Sequence, residues 1–255
     1  MAIVATLLDS RAATAVLRRA TPRTGTSVRS CRTAPAFHRL IEMELVDAAV
    51  LGVRAIQTID LANLRQEFPS LSIVVYGSIR PDHGVLIREL QSRGVAAFLV
   101  DGVDDPVVGE VIARNGYLAR RRQELSDLPR RLRLTEDLQL DVLDRLLTRI
   151  GRPETTASLA QALDVSREHL SRQFAAGGAP NLKRVIDLLQ ILAARDLTVN
   201  PGYSIARIAQ MLGFANESHL RTAIRRVVRL SWGDFRRSTS AELQRRFVVR
   251  AARVR

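Results

Sequence analysis

Two stretches of the chain set polar and basic side chains at helical spacing. In the first, Arg167, Glu168, Ser171 and Arg172 share the outer face of a helix whose inner face holds Leu170 and Phe174. In the second, Glu217, Ser218, Arg221, Thr222 and Arg225 lie opposite Leu220 and Ile224. Guanidinium, carboxylate and hydroxyl groups held on a rigid helix can pair with donors and acceptors on base edges, and guanidinium groups also pair with phosphate. Elsewhere the chemistry is thin. Asp101, Asp104 and Asp105 cluster around Gly102 and Pro106, and Asp105 before Pro106 has the position of a helix N-cap. His38 and His83 have no second ligand at metal spacing. There is no Gly-rich phosphate loop and no Gly-x-Ser-x-Gly; Gly177-Gly178 has the composition of a turn. No catalytic site, metal site or cofactor is expected.

The elements that must position the two polar faces form an internal repeat. Residues 159–174 read LAQALDVSREHLSRQF, and residues 208–224 read IAQMLGFANESHLRTAI. Leu159-Ala160-Gln161 pairs with Ile208-Ala209-Gln210, Leu163 with Leu212, and His169-Leu170 with His219-Leu220. The second copy carries one extra residue in its turn. Each copy predicts a short helix, a tight turn and a second helix, with Ala160 or Ala209 where the two helices touch. Gly213 suits a left-handed helix end, and Ser166 and Asn216 suit the caps of the second helices.

This segment resembles the DNA-binding domain of the AraC/XylS family over about 100 residues. The pattern Ile-Ala-x-x-x-Gly-Phe-x-x-x-Ser is matched by Ile208, Ala209, Gly213, Phe214 and Ser218. Leu159, Ala160, Leu170, Ser171, Arg172 and Phe174 match the first unit, and Phe235-Arg236 matches the terminal aromatic–basic pair. The resemblance implies a preceding helix at 138–150 and a joining helix at 181–198. It also implies that each second helix reads a major groove. Base contacts then fall to Glu168, Ser171, Arg172, Glu217, Ser218, Arg221 and Thr222, and phosphate contacts to Arg167, Arg225 and Arg226. The sequence departs from the family at Arg229-Leu230-Ser231-Trp232, where Gly-x-Ser-Pro is usual. It departs again at Gln190, where Arg is common, and at the aliphatic Leu220 and Ile224, where aromatics are common. These departures bear on affinity and target more than on fold.

Charge divides the chain in the same way. Residues 1–112 hold 12 basic and 12 acidic residues, whereas 113–255 hold 27 basic and 14 acidic, the whole net charge of +13. A neutral domain followed by a polyanion-binding one fits that asymmetry. The neutral part alternates apolar runs (2–6, 27–31, 46–51, 72–76 and 95–100) with amphipathic stretches (10–20, 33–44, 58–67, 83–93 and 106–115). Five such repeats predict an α/β fold with a doubly wound parallel sheet, flavodoxin-like, ahead of an all-α domain with two helix-turn-helix units. This part resembles the receiver domain of response regulators, without its chemistry. The phosphoacceptor position reads Gly52, the fourth strand ends on Gly77 beside Ser78, the fifth-strand position reads Asp101, and Asp9 remains near the end of the first strand. A phosphoryl site needs oxygen ligands and a carboxylate nucleophile, so a pseudo-receiver is expected, with Asp47 a strand-start residue.

The expected domains are a receiver-like regulatory domain at 1–118, a flexible basic linker at 119–135, the DNA-binding domain at 136–240 and a basic tail at 241–255 that forms an accessory helix or arm. Cys31 is the single cysteine, so no intramolecular disulfide is possible, and no apolar run reaches the roughly 20 residues of a membrane span. The acid-free stretch between Asp9 and Glu42, with Arg11, Arg18, Arg19, Arg23, Arg29 and Arg32, resembles a transit peptide but fits a strand–helix–strand unit. A soluble cytoplasmic transcription regulator is expected. Its partners would be double-stranded DNA, a second copy through the N-terminal domain and RNA polymerase, with no membrane. The alternative is a scaffold whose first domain binds a partner while the basic domain anchors it on DNA.

Overall fold

The computed structural model describes residues 2–22, 25–148 and 154–253. It divides into two units, residues 1–121 with 200–202, and residues 122–199 with 203–255.

The first unit is the predicted α/β alternation. Strands β1 (Ala2–Leu7), β2 (Thr26–Ser30), β3 (Ala48–Leu51), β4 (Ile73–Gly77) and β5 (Ala97–Val100) form a parallel sheet in the order β2-β1-β3-β4-β5. That is the flavodoxin-like order. Between and after them run α1 (Arg11–Ala20), α2 (Ala34–Met43), α3 (Val53–Gln57), α4 (Leu61–Glu67), α5 (Gly84–Ser92) and α6 (Val108–Asn115). Alternation along the strands separates two buried faces. Val4, Ala48, Val50, Val74 and Leu99 pack with Ala13 and Leu17 of α1 and Val108 and Ile112 of α6. Ala5, Leu7, Ala49, Leu51, Ile73 and Val75 are buried on the other face. Covering both faces is what allows strands without polar alternation.

Polar caps set three of these six helix starts. The Ser10, Thr33 and Asp60 side chains accept from the backbone N–H of Ala13, Ala36 and Asn63. Asp60 also explains a departure from the sequence reading. The expected helix 58–67 starts only at Leu61, and α3 forms as a separate turn before it. Asp105 is not the cap of α6, which begins after Val107 without a side-chain cap. Its carboxylate instead accepts from the Tyr76 hydroxyl at 2.5 Å and from Gly102 N–H at 2.9 Å. Tyr76 is buried, and a buried phenol seeks a partner. Burial, and then this hydrogen bond, push the Tyr76 hydroxyl well above the usual phenol range, so the proton stays on Tyr76. The same bond holds Asp105 below the usual carboxylate range. Asp47, immediately before β3, is buried and accepts from Leu118 N–H at 2.8 Å. Burial raises its carboxyl above the ordinary value against the opposing pull of that hydrogen bond.

At the carboxyl edge of the sheet, Asp9 takes the space that a side chain at residue 52 would need. Its two oxygens accept from the backbone N–H groups of Arg54 and Ala55, each at 3.0 Å. A Cβ on Gly52 would lie 2.5 Å from the Asp9 carboxyl carbon. Gly52 has φ −70° and ψ 160°, which any residue can adopt. The glycine therefore provides room, not backbone freedom.

The stretch 119–135, expected as a flexible linker, is largely helical: α7 (Tyr117–Glu124) and α8 (Leu128–Leu132). Leu125, Leu128 and Leu132 are buried, which ties it down. The boundary between the two units falls inside α7. The second unit continues with α9 (Asp137–Thr148), α10 (Thr156–Ala162), α11 (Arg167–Phe174), α12 (Leu182–Leu197), α13 (Ile205–Met211), α14 (Glu217–Val228), α15 (Trp232–Arg237) and α16 (Ser240–Arg253). The expected helix 138–150 is α9, and its end beyond Thr148 lies outside the described residues. The expected joining helix is α12, capped by Asn181 and ending at Thr198. Ten of its residues are buried, including Val185, Leu188, Ile191 and Ala194, so it is the central rod of this unit. The expected tail is α16 up to Arg253. It packs on α12 and α14 through the buried Leu243 and Phe247, which makes it part of the unit. Val254 and Arg255 lie outside the described residues. Among the described residues, no helix is long and apolar enough to cross a membrane.

Candidate nucleic-acid interface

Each repeat is a helix-turn-helix with the expected punctuation. In the first, α10 starts on a capping box in which Thr155 and Ser158 bond each other's backbone N–H. The turn passes through Asp164 at φ 53°, and the Ser166 hydroxyl accepts from His169 N–H at 3.1 Å to start α11. In the second, Gly213 takes φ 75° and Asn216 accepts from His219 N–H at 2.9 Å to start α14. Asp164 and Gly213 occupy equivalent turn positions. A left-handed turn strains an ordinary side chain and leaves glycine unstrained. Ala160 and Ala209 are buried where α10 meets α11 and α13 meets α14. Leu170 and Phe174, and Leu220 and Ile224, are fully buried as the i, i+4 spacing requires.

The predicted contact residues emerge on the outer faces. Arg167, Glu168, Ser171 and Arg172 of α11 are exposed, as are Glu217, Ser218, Thr222, Arg225 and Arg226 of α14. Arg221 is half-buried, with its guanidinium carbon 5.5 Å from the centroid of Trp232. Stacking of this kind orients a planar guanidinium. Arg226 pairs with Asp187 of α12 at 3.0 Å. Asp187 lies in a partly desolvated site that raises its carboxyl above the ordinary value, against the pull of Arg226. The only pair drawn by Arg167 among the described residues is with the adjacent Glu168, at 3.6 Å and highly exposed, and such pairs are worth little. His169 and His219 are exposed, and the described residues contain no cluster of metal-ligating side chains.

Three supports escaped the sequence reading. Gln139 of α9 is completely buried; its amide donates to the carbonyls of Phe174 at 2.9 Å and Ala176 at 3.2 Å, and its oxygen accepts from Thr135 and Glu136. It therefore satisfies the orphan carbonyls where α11 ends. Arg229 holds φ 59° at the end of α14, so this residue carries the left-handed turn where the family has glycine. Ser231 caps α15 by accepting from Asp234 N–H. Arg195 of α12 donates to the Ser238 carbonyl and so ties the joining helix to the end of α15. Only the Arg229 position was visible as a departure from the family pattern. Gln139 reads in sequence as an ordinary helical glutamine.

Paired helix-turn-helix units with outward basic faces define a DNA-binding domain. Residues 159–238 match the family described as "Helix-turn-helix domain", which is of AraC type. No curated protein sequence matches the chain. Among solved structures, the C-terminal domain of AraT, a response regulator from Geobacillus stearothermophilus, is similar at 19% identity over 41% of this chain and 87% of that one, with a TM-score of 0.37. Full-length FixJ from B. japonicum is similar at 15% identity over 88% of this chain and 96% of that one, with a TM-score of 0.39. The transcriptional regulator CdpR from Pseudomonas aeruginosa is similar at 18% identity over 72% and 61%, with a TM-score of 0.38. These likenesses are weak in superposition and assign nothing further.

Proposed function

We propose that the chain is a sequence-specific transcription regulator that reads adjacent major grooves with α11 and α14. The observation that carries this reading is the duplication itself. Two units with side-chain caps, a buried stripe and an outward polar face at matching positions flank one buried helix, α12. In this reading Glu168, Ser171, Arg172, Glu217, Ser218, Arg221 and Thr222 meet base edges. Arg can read guanine and Glu can accept from cytosine. Arg167 and Arg225 meet phosphates, and Arg226 does so by exchanging its ion pair with Asp187. The first unit serves as a regulatory domain that works without phosphoryl transfer, because Asp9 closes the space at Gly52. A second copy through this domain, and RNA polymerase, are its further partners.

The test is selection of binding sites from random duplexes with the full chain, followed by affinity measurements at several salt concentrations. A two-part site with centres about 10 base pairs apart is expected, with affinity falling steeply as salt rises. Enrichment of no sequence, or of a single short half-site, would overturn it.

A further inference from the structure

The carboxyl edge of the sheet in the first unit holds a cavity of about 320 Å³. It opens where the order β2-β1-β3-β4-β5 reverses direction, the place where open parallel sheets bind small molecules. Its volume is that of a small-ligand site. The buried Ala13, Val53 and Gly77 line it, and the exposed Arg54, Ser78 and Arg80 stand around it.

The charges are unevenly satisfied. Asp9 is compensated by two backbone N–H groups. The Arg54 and Arg80 guanidinium groups make no hydrogen bond or ion pair among the described residues; both residues use only their backbone N–H groups, Arg54 toward Asp9 and Arg80 toward His83 Nδ1. Two such forks at the rim of the cavity suit a carboxylate, which guanidinium binds in a bidentate way. Asp101 completes the set. One of its oxygens lies 3.1 Å from the Tyr76 hydroxyl, whose single proton is shared with the nearer Asp105 at 2.5 Å. Asp101 therefore keeps acceptor capacity toward the cavity. We infer that this cavity binds a small carboxylate that also carries a hydroxyl or ammonium donor, with Arg54 and Arg80 on the carboxylate and Asp101 on the donor. The site needs no phosphoryl chemistry and stands apart from the reading of α11 and α14.

Calorimetric titration of the full chain with malate and with glutamate, each up to about 10 mM, tests this, with succinate as the probe that lacks the donor. The Arg-rich second unit also attracts anions, so the variants separate the two sources. Binding of malate or glutamate is expected to weaken at least about tenfold in Arg54→Ala/Arg80→Ala and to persist in Arg172→Ala/Arg225→Ala. It is also expected to exceed succinate binding by about tenfold, and the excess is expected to vanish in Asp101→Asn. Arg54 and Arg80 are exposed and Arg39→Ala/Arg88→Ala removes the same charge outside the cavity, so circular dichroism and that control expose any general effect. No heat from malate or glutamate, or heat lost only in the Arg172→Ala/Arg225→Ala variant, overturns the inference. Equal binding of succinate overturns the assignment of Asp101.

Discussion

The two helix-turn-helix units share one plan and differ in how firmly their reading faces are held. In α14, Arg221 is stacked on Trp232 and Arg226 is paired with Asp187, while the turn before it rests on Gly213 without strain. In α11, among the described residues, no reading side chain is held by a residue beyond its own helix. The turn before it bends through Asp164, and the firm contact is behind the helix, where Gln139 holds its last carbonyls. The second unit is thus ordered toward the ligand, and the first is ordered toward the core. Preorganised side chains lose less freedom on binding, so the second unit should carry sharper discrimination and the first more tolerance.

The largest effects should erase the comparison by removing the shared stripe. Phe174→Ala and Ile224→Ala are each expected to cost about 2–5 kcal/mol in denaturant unfolding, since both are fully buried. A cost under about 1 kcal/mol for either would mean that its unit folds without that stripe. Next come the reading residues. Arg172→Ala and Arg221→Ala should each lose about 1–3 kcal/mol and relax one base position in competition binding. Trp232→Ala should relax the same position as Arg221→Ala, and Trp232→Phe should restore it in part, whereas no single neighbour does this for Arg172. Uniform loss across all sequences after Trp232→Ala would dissolve the contrast.

Smaller effects sharpen it. Asp164→Gly should stabilise the first unit by about 0.5–1 kcal/mol, and Gly213→Ala should destabilise the second by about 1 kcal/mol, both read from thermal midpoints. Opposite signs at equivalent positions are the signature of one strained and one relaxed turn. The smallest effect is on salt dependence. Arg225→Ala should lower the slope of log affinity against log salt by about 1, and Arg226→Ala by less, because Asp187 already shares its charge.

Most of this organisation is legible in the sequence for local reasons. Caps such as Ser10, Thr33, Ser166 and Asn216 act within three residues, so a short window reveals them. Unbroken Val-rich runs betray strands covered on both faces. What escaped depends on partners distant in the chain. Asp105 reads as a cap until Tyr76, 29 residues earlier, claims it. Gln139 acts on α11, 35 residues on, and Arg221 finds Trp232 only once α15 folds back. The basic stretch 119–135 reads as open because its arginines outnumber its leucines, yet those few leucines are buried and fix it.

Gly52 has a consequence for how α3 begins. A side chain at residue 52 would displace the Asp9 carboxylate from its place, so Gly52→Asp alone would crowd two carboxylates together and disturb the N–H pair that starts α3. The two positions are therefore coupled: a side chain added at residue 52 is felt through Asp9 at the start of α3.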